Sequence, residues 1–447
     1  MARRFALRSP HDRAILGLAV PALGSLAIDP LVSLVDSVFV GRLGPAPLGA
    51  LAIDGAIFSL AFVGFNFLAY GTTPRVGRAL GRGDREEAGR IVVQAMGLAA
   101  LAGFFVTLFL LGMARPLLAL MGAKEELEAP ALTYLRIRAL AGPAVLLATA
   151  AHGAFRGYRD TRTPFWVALG VNLVNLVLDP LLIFGLGWGV AGAAWATVVA
   201  QWTGAVAFLW LLFVSRREAM GIPRVWPRLR EMLPLLRVGG HMLMRTGALL
   251  GTMAFSTATA ARMGVAVVAG HQIALQFWYF LALVLDTLAI AAQALVAHEL
   301  GRGDRATARA LGDRLLQWGL GLGVALGIGL ALLSGFLPQL FTADPDTLRA
   351  ARAAIFFVAC LQPLAGLVFV WDGIYIGAEA FRYLAWAMVA SAASAGLVLV
   401  VVGAHGFGIA GVWAGIGTLM TVRALTSGWP WWRGRVVGEA APPIASG

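Results

Sequence analysis

Asp29, Asp36, Asp54, Asp179, Arg245, Asp286 and Asp372 stand inside long apolar stretches of the chain. A charge placed in hydrocarbon costs at least ~2.5 to 3.5 kcal/mol on insertion scales, so charges kept there mark cavities, ion sites or buried pairs. Asp36 comes about five residues before Gly41, and Asp179 about six before Gly185. Both therefore fall in the outer half of their helices, where they can meet. Asn175 precedes Asp179 by one helical turn and shares its face. Two carboxylates and an amide in one chamber repel when both acids are ionised, so the cluster keeps a proton or recruits a cation. Either outcome makes Asp36, Asp179 and Asn175 an ion-coupling site. Asp29 lies seven residues before Asp36, on roughly the same face and ~10 Å deeper by helix rise. It either binds substrate or hydrogen-bonds the backbone freed by Pro30. Asp54, near the outer end of the second stretch, lines the chamber or is solvated at the helix end.

In the second half, Asp286 sits well inside its stretch, and a repeat register described below places Asn66 opposite it. A polar group at one depth in both halves reads as a shared structural hydrogen bond or as part of a substrate cavity. Arg245, the only clear intramembrane arginine on this reading, is expected to pair with Asp286 or Asp372. Asp372 caps its helix or pairs with Arg382 as the alternative. The predicted substrate cavity thus draws on Asp29, Asp54, Asn66, Asp286 and Arg245. His241 and His271 lack ligand spacing and read as hydrogen-bonded structure rather than proton carriers. Cys360 is the single cysteine; it excludes a disulfide framework and reads as a small buried hydrophobe. No metal site or cofactor is expected.

The elements that must position these groups follow from composition. Of 447 residues, 59% are hydrophobic and 13% charged, about half the charge of an ordinary soluble domain. Lipid must be part of the solvent. Runs of the ~20 apolar residues that cross a bilayer recur near 14–40, 47–73, 91–113, 131–155, 163–186, 189–214, 238–261, 265–297, 307–335, 350–376, 383–403 and 408–430. The predicted fold is an all-α membrane protein of twelve transmembrane helices. Arg3, Arg4, Arg8 and Arg13 precede the first run, which is too long for a signal h-region and reads as a retained helix.

Arginine sorts the loops. Arg75, Arg78, Arg82 and Arg85, then Arg156, Arg159 and Arg162, then Arg216, Arg217, Arg224, Arg228 and Arg230, then Arg302 and Arg305 fall on one side. The other side is poorer, so both termini are expected in the cytoplasm. The net charge of +12 reads as topology and not as a nucleic-acid surface.

Shifting the sequence by 220 positions brings Leu80-Gly-Arg-Gly-Asp-Arg85 onto Leu300-Gly-Arg-Gly-Asp-Arg305, with Arg42 on Arg262, Pro143 on Pro363 and Gly153 on Gly373. Two homologous halves are predicted: an N-lobe at 1–214, a basic linker at 215–237 and a C-lobe at 238–447. With an even number of spans per half, the pseudo-symmetry axis runs along the membrane normal, the parallel-repeat plan of transporters. The repeated Gly-Arg-Gly-Asp segment reads as a tight turn. No phosphate-cradling loop or nucleotide module is visible, so an ion gradient is expected to drive transport, without ATP. A membrane-embedded enzyme would need a clustered catalytic set, and none is present.

These stretches resemble the multidrug and toxic compound extrusion family. The likeness rests on Pro30 through Asp36 to Gly44, Gly153 through Asp160 to Pro164, Asn175 through Asp179 and Pro180 to Gly189-Val-Ala-Gly192, and Gln362-Pro363 with Trp371-Asp372-Gly373. The wording of the first and fourth stretches is similar to the DinF-like branch. The resemblance implies two six-helix lobes, alternating access, proton-coupled efflux through Asp36 with Asn175 and Asp179, a small-molecule substrate and a bacterial-type inner-membrane setting, with a monomer expected. Sodium is the alternative ion. The NorM-like branch uses acidic residues in the seventh span, and none occurs between Val238 and Ala261. An organic-acid (citrate-like) exporter and a lipid-linked oligosaccharide flippase are the alternative substrate classes.

Overall fold

The structure, a computed structural model, describes residues 9–437; Arg3, Arg4 and Arg8 lie outside them. Among the described residues the regular structure is helical: α1 (Asp12–Gly41), α2 (Pro45–Val63), α3 (Phe67–Gly81), α4 (Arg85–Gly112), α5 (Ala114–Leu120), α6 (Glu128–Ala139), α7 (Gly142–Gly157), α8 (Arg162–Pro180), α9 (Gly189–Trp210), α10 (Leu229–Arg262), α11 (Val265–Gly301), α12 (Arg305–Leu333), α13 (Pro345–Gly377), α14 (Phe381–His405) and α15 (Gly408–Trp432). Helices satisfy their own backbone, the condition for crossing hydrocarbon.

Among the described residues, ten stretches are long and apolar enough to span a bilayer, and an eleventh if the bent pair α6 and α7 counts as one. α2 and α3 run on through a 3-10 turn as a single stretch, Pro45–Gly81. The remaining expected span corresponds to α10. It has the length, 34 residues, but Arg245, His241 and a run of Gly, Ser and Thr dilute its hydropathy, and it is not among the ten.

The expected fourth span bends by 49°, and the sequence shows why. Pro143 opens α7, where its missing N–H is harmless. The carbonyls released at the break find side-chain donors: Thr107 Oγ1 donates to Ala139 at 2.7 Å and Trp202 Nε1 to Leu140 at 3.1 Å.

Val20–Gly239 forms one compact unit; the residues from Gly240 onward, with those before Val20, form the other. Two features differ from the predicted boundaries. The first two turns of α1, Asp12 to Ala19, belong with the second unit, where Asp12 accepts from Arg314 Nε and Nη2 at 2.7 and 2.8 Å and from Trp318 Nε1 at 2.9 Å. The segment 215–237, expected as a basic linker, packs within the first unit. Gln94 of α4 donates to Glu231 at 2.7 Å and accepts from the Arg228 N–H at 2.8 Å, and Tyr158 donates to the Met220 carbonyl.

The 220-residue register recurs in geometry. Asp84 caps α4 through the Glu87 N–H at 2.8 Å, and Asp304 caps α12 through the Thr307 N–H at 2.9 Å. Gly83 and Gly303, just before these caps, have φ of 80° and 77°, a conformation that costs a side chain energy. Tight helix crossings also repeat. A Cβ on Gly153 would lie 2.7 Å from Ala69 Cα, and one on Gly373 2.7 Å from Ala289 Cα. Small residues at such crossings let helix backbones approach, which drives packing where lipid removes the hydrophobic term.

Candidate functional site

In the first unit, three residues of α8 face inward at spacing i, i+3, i+7: Asn172, Asn175 and Asp179, with exposures of 9%, 5% and 1%. That spacing lines one side of a helix. Pro180 ends the regular turn, and the chain continues as a π-helical turn, Leu181–Gly185; missing N–H groups and π-turns go together because the hydrogen-bond ladder must slip. α1 approaches this face closely: a Cβ on Gly24 would lie 2.5 Å from the Phe165 ring of α8.

On that approach the Asp36 and Asp179 carboxyls come within hydrogen-bonding reach of each other, and the Asn175 side chain lies beside Asp179. Neither Asp179 oxygen meets an N–H or O–H donor among the described residues, nor does Asp36 Oδ1. Two carboxyl groups hold such a contact only with a proton between them. One turn deeper along α1, Asp29 accepts from Asn172 Nδ2 at 3.0 Å. Its partner is thus a side chain of α8, and the proline-freed backbone is not what it serves in the structure.

Tyr134 and Arg138, four residues apart on α6, complete the surroundings. Tyr134 is buried, close to Thr197 of α9 and within the electrostatic influence of Asp36, Asp54 and Arg138. Its ring packs among Val40, Ile183, Ala193 and Ala194, so α1, α6, α9 and the π-turn meet there. Arg138 lies close enough to Asp36 to act on its charge, stacks its guanidinium 4.9 Å from the Phe58 ring, and leaves Nη1 without a partner. Sequence reasoning passed over Tyr134, Arg138 and Asn172. The signal was available as polar residues at one-turn intervals inside apolar runs.

Asp54 resolves differently from a solvated helix end. It is 0% exposed, neither oxygen has a hydrogen-bond partner among the described residues, and its neighbours on α2, Ala50, Ile57 and Phe58, belong to an apolar cluster with Leu110, Leu118 and Leu135.

The second unit carries a separate buried charge group. Arg245 of α10 and Arg423 of α15 both donate to Asp372 of α13, Arg423 at 2.5 Å. The three side chains are 11%, 6% and 10% exposed. Arg423 also stands over Phe369 at 5.9 Å. Asp372 therefore neither caps its helix nor pairs with Arg382, and Arg245 is not the sole arginine within the apolar helices, since Arg138 and Arg423 join it. Asn66 lies exposed in the 3-10 turn, whereas Asp286 sits mid-way along continuous α11, so equal register does not give equal surroundings. His271 is buried with Ser256 and Thr257 hydroxyls 3.4 and 3.3 Å from Nε2 and the Trp413 ring edge-on at 5.7 Å. Cys360 is exposed, not buried.

The sequence model of the MatE family matches residues 21–181 and again 248–402. Protein DETOXIFICATION 44, chloroplastic, of Arabidopsis thaliana is 35% identical over 427 residues, covering 93% of this chain and 81% of that protein. Multidrug resistance protein PmpM of Pseudomonas aeruginosa is 29% identical over 78% of this chain and 75% of its own length. DNA damage-inducible protein F of Escherichia coli is 27% identical over 96% and 94%. A solved MATE protein in its bent conformation superposes with a TM-score of 0.87 at 22% identity, over 96% of each chain, and an outward-facing multidrug resistance MATE family transporter does so equally. At that identity the superposition speaks for the fold.

Proposed function

We propose, from the premise that this chain belongs to the MatE family of multidrug and toxic compound efflux transporters, that it exports small organic or cationic amphipathic compounds by proton antiport. It is a multi-pass membrane transporter and not an enzyme. The observation that carries the coupling proposal is the contact between Asp36 of α1 and Asp179 of α8. A proton entering from outside is shared between the two carboxyls, removes one of their two negative charges and lets the two helices close on each other; its departure inward restores both charges, which repel and open the chamber to a cation. α1 is suited to move, because Pro21 and Pro30 interrupt its ladder and proline is where helices bend. Antiport then requires that the protonated and ionised states differ in affinity for the substrate. Asn175 lies beside Asp179, and Asp29 with Asn172 extends the polar face deeper. The reading places both termini in the cytoplasm of an inner membrane and takes the working unit as a monomer.

The test is Asp36→Asn. Efflux of a cationic dye driven by a pH gradient should vanish while the amount of folded protein in the membrane is unchanged; gradient-driven efflux by that variant would reject the assignment. A second reading, export of an organic anion, is favoured by Arg138, whose Nη1 is unpartnered beside the chamber, and by the net positive Arg245–Asp372–Arg423 group. Arg138→Gln should then weaken citrate export while sparing dye efflux.

A further inference from the structure

The segment 215–227 roofs a cavity of about 1200 Å³ within the first unit. Its wall and its rim differ in kind. Val93, Met96 and Ala100 of α4, Leu147 of α7, and Leu209 and Phe213 at the end of the α9 span make the wall apolar. Ala100 lies fifteen residues beyond the first residue of α4, ~22 Å by helix rise, so the cavity runs from the helix ends into the depth occupied by hydrocarbon. The rim carries Arg217, Arg224, Glu218 and Trp226, the last 88% exposed.

The roof is fixed, not collapsed: Tyr158 holds Met220 and Gln94 holds Arg228 and Glu231. Its arginines are not equally free. Arg216 is tied to Asp160 at 2.9 Å and Arg228 lies 3.6 Å from Glu231, whereas Arg217 and Arg224 form no ion pair among the described residues. Two uncommitted guanidiniums therefore stand at the mouth of an apolar slot, with an indole projecting beside them. Tryptophan prefers the headgroup layer of a bilayer, and basic pockets beside membrane helices hold anionic headgroups. A free phosphate would use only the rim. A neutral lipid would leave both guanidiniums uncompensated.

We infer that this cavity binds an anionic phospholipid, with Arg217 and Arg224 on the phosphate, an acyl chain along Met96, Leu147 and Phe213, and Trp226 in the headgroup layer. Glu218 on the same rim selects a singly charged phosphodiester whose headgroup hydroxyls can donate to it, as in phosphatidylglycerol. The site clamps the segment that joins the two halves of the chain.

Native mass spectrometry of the purified full-length protein in neutral detergent, titrated separately with phosphatidylglycerol, phosphatidylcholine and inorganic phosphate, tests this. Phosphatidylglycerol should bind more tightly than phosphatidylcholine by about fivefold per arginine, about thirtyfold for the pair. The double variant Arg217→Gln/Arg224→Gln should lose that preference, and inorganic phosphate should not displace the lipid at matched concentration. Ala100→Trp, which fills the wall without touching the rim, should weaken both lipids. Equal binding of the two lipids, unchanged preference in the arginine variant, displacement by phosphate, or indifference to Ala100→Trp would each overturn the inference.

Discussion

A carboxylate held by two arginines in a dry helix crossing differs in kind from one held by another carboxylate. Asp372 accepts from both Arg245 and Arg423, and all three are nearly sealed from solvent. Burying such a group is expensive, and its Coulomb attraction roughly offsets the desolvation; removing one member leaves the others uncompensated. Asp372→Asn should therefore lower stability by about 3 to 5 kcal/mol, read as a fall in unfolding midpoint in detergent, and should reduce the folded yield. Asp36→Asn faces no such penalty, since the exchange removes a charge from a site whose partner is also acidic. The two variants separate structure from coupling: one loses the fold's stability, the other only the gradient's effect. If Asp372→Asn were neutral to stability, water or a counter-ion must reach the crossing, and the charge group would belong to a substrate path.

At the level of helices, the turns that join them hold the exposed electrostatics. Asp304 caps α12, accepting from the Thr307 N–H at 2.9 Å and the Thr307 hydroxyl at 2.7 Å. These donors hold its carboxyl below the usual carboxylate range. The folded state then binds fewer protons than the unfolded state, so the cap contributes in full above the ordinary aspartate pKa of ~4 and is lost as pH falls through the lowered native value. Hydrogen exchange at the first amides of α12, corrected for intrinsic rates, should lose protection under strong acid in the native chain. In Asp304→Asn protection should not change with pH. Both turns were legible as a repeated six-residue motif, because turn chemistry is local, and the caps made by Asp84 and Asp304 came only with the structure. The spans were legible for the same reason, α10 among them at 238–261, although polar residues that serve packing and charge pairing dilute its hydropathy. What could not be read was pairing across helices. Asp29 with Asn172, and Asp372 with two arginines, depend on which faces meet, and no spacing within one helix encodes that. Arg138 was missed because it lies one turn from the polar end of a bent span, where an arginine ordinarily snorkels.

If the proposed proton coupling holds, the number of protons per cycle sets what the transporter can achieve. Each pH unit across the membrane is worth 1.36 kcal/mol per proton, so one proton exchanged per substrate supports at most tenfold accumulation per unit, and two support a hundredfold. On the proposed mechanism Asp36 and Asp179, which share a contact, act as one site with one labile proton. Asp54, fully buried and without a hydrogen-bond partner on either oxygen among the described residues, is the next acid able to carry a second. Proteoliposomes with separately imposed proton and sodium gradients, loaded with a cationic dye or with citrate, measure both identity and stoichiometry. With the Asp36–Asp179 pair alone as carrier, dye accumulation rises tenfold per pH unit and is indifferent to sodium at clamped pH. A hundredfold slope that falls to tenfold in Asp54→Asn assigns the second proton to Asp54. Accumulation driven by sodium at constant pH would remove the proton from the cycle altogether, and the acid pair would then have to be a cation site.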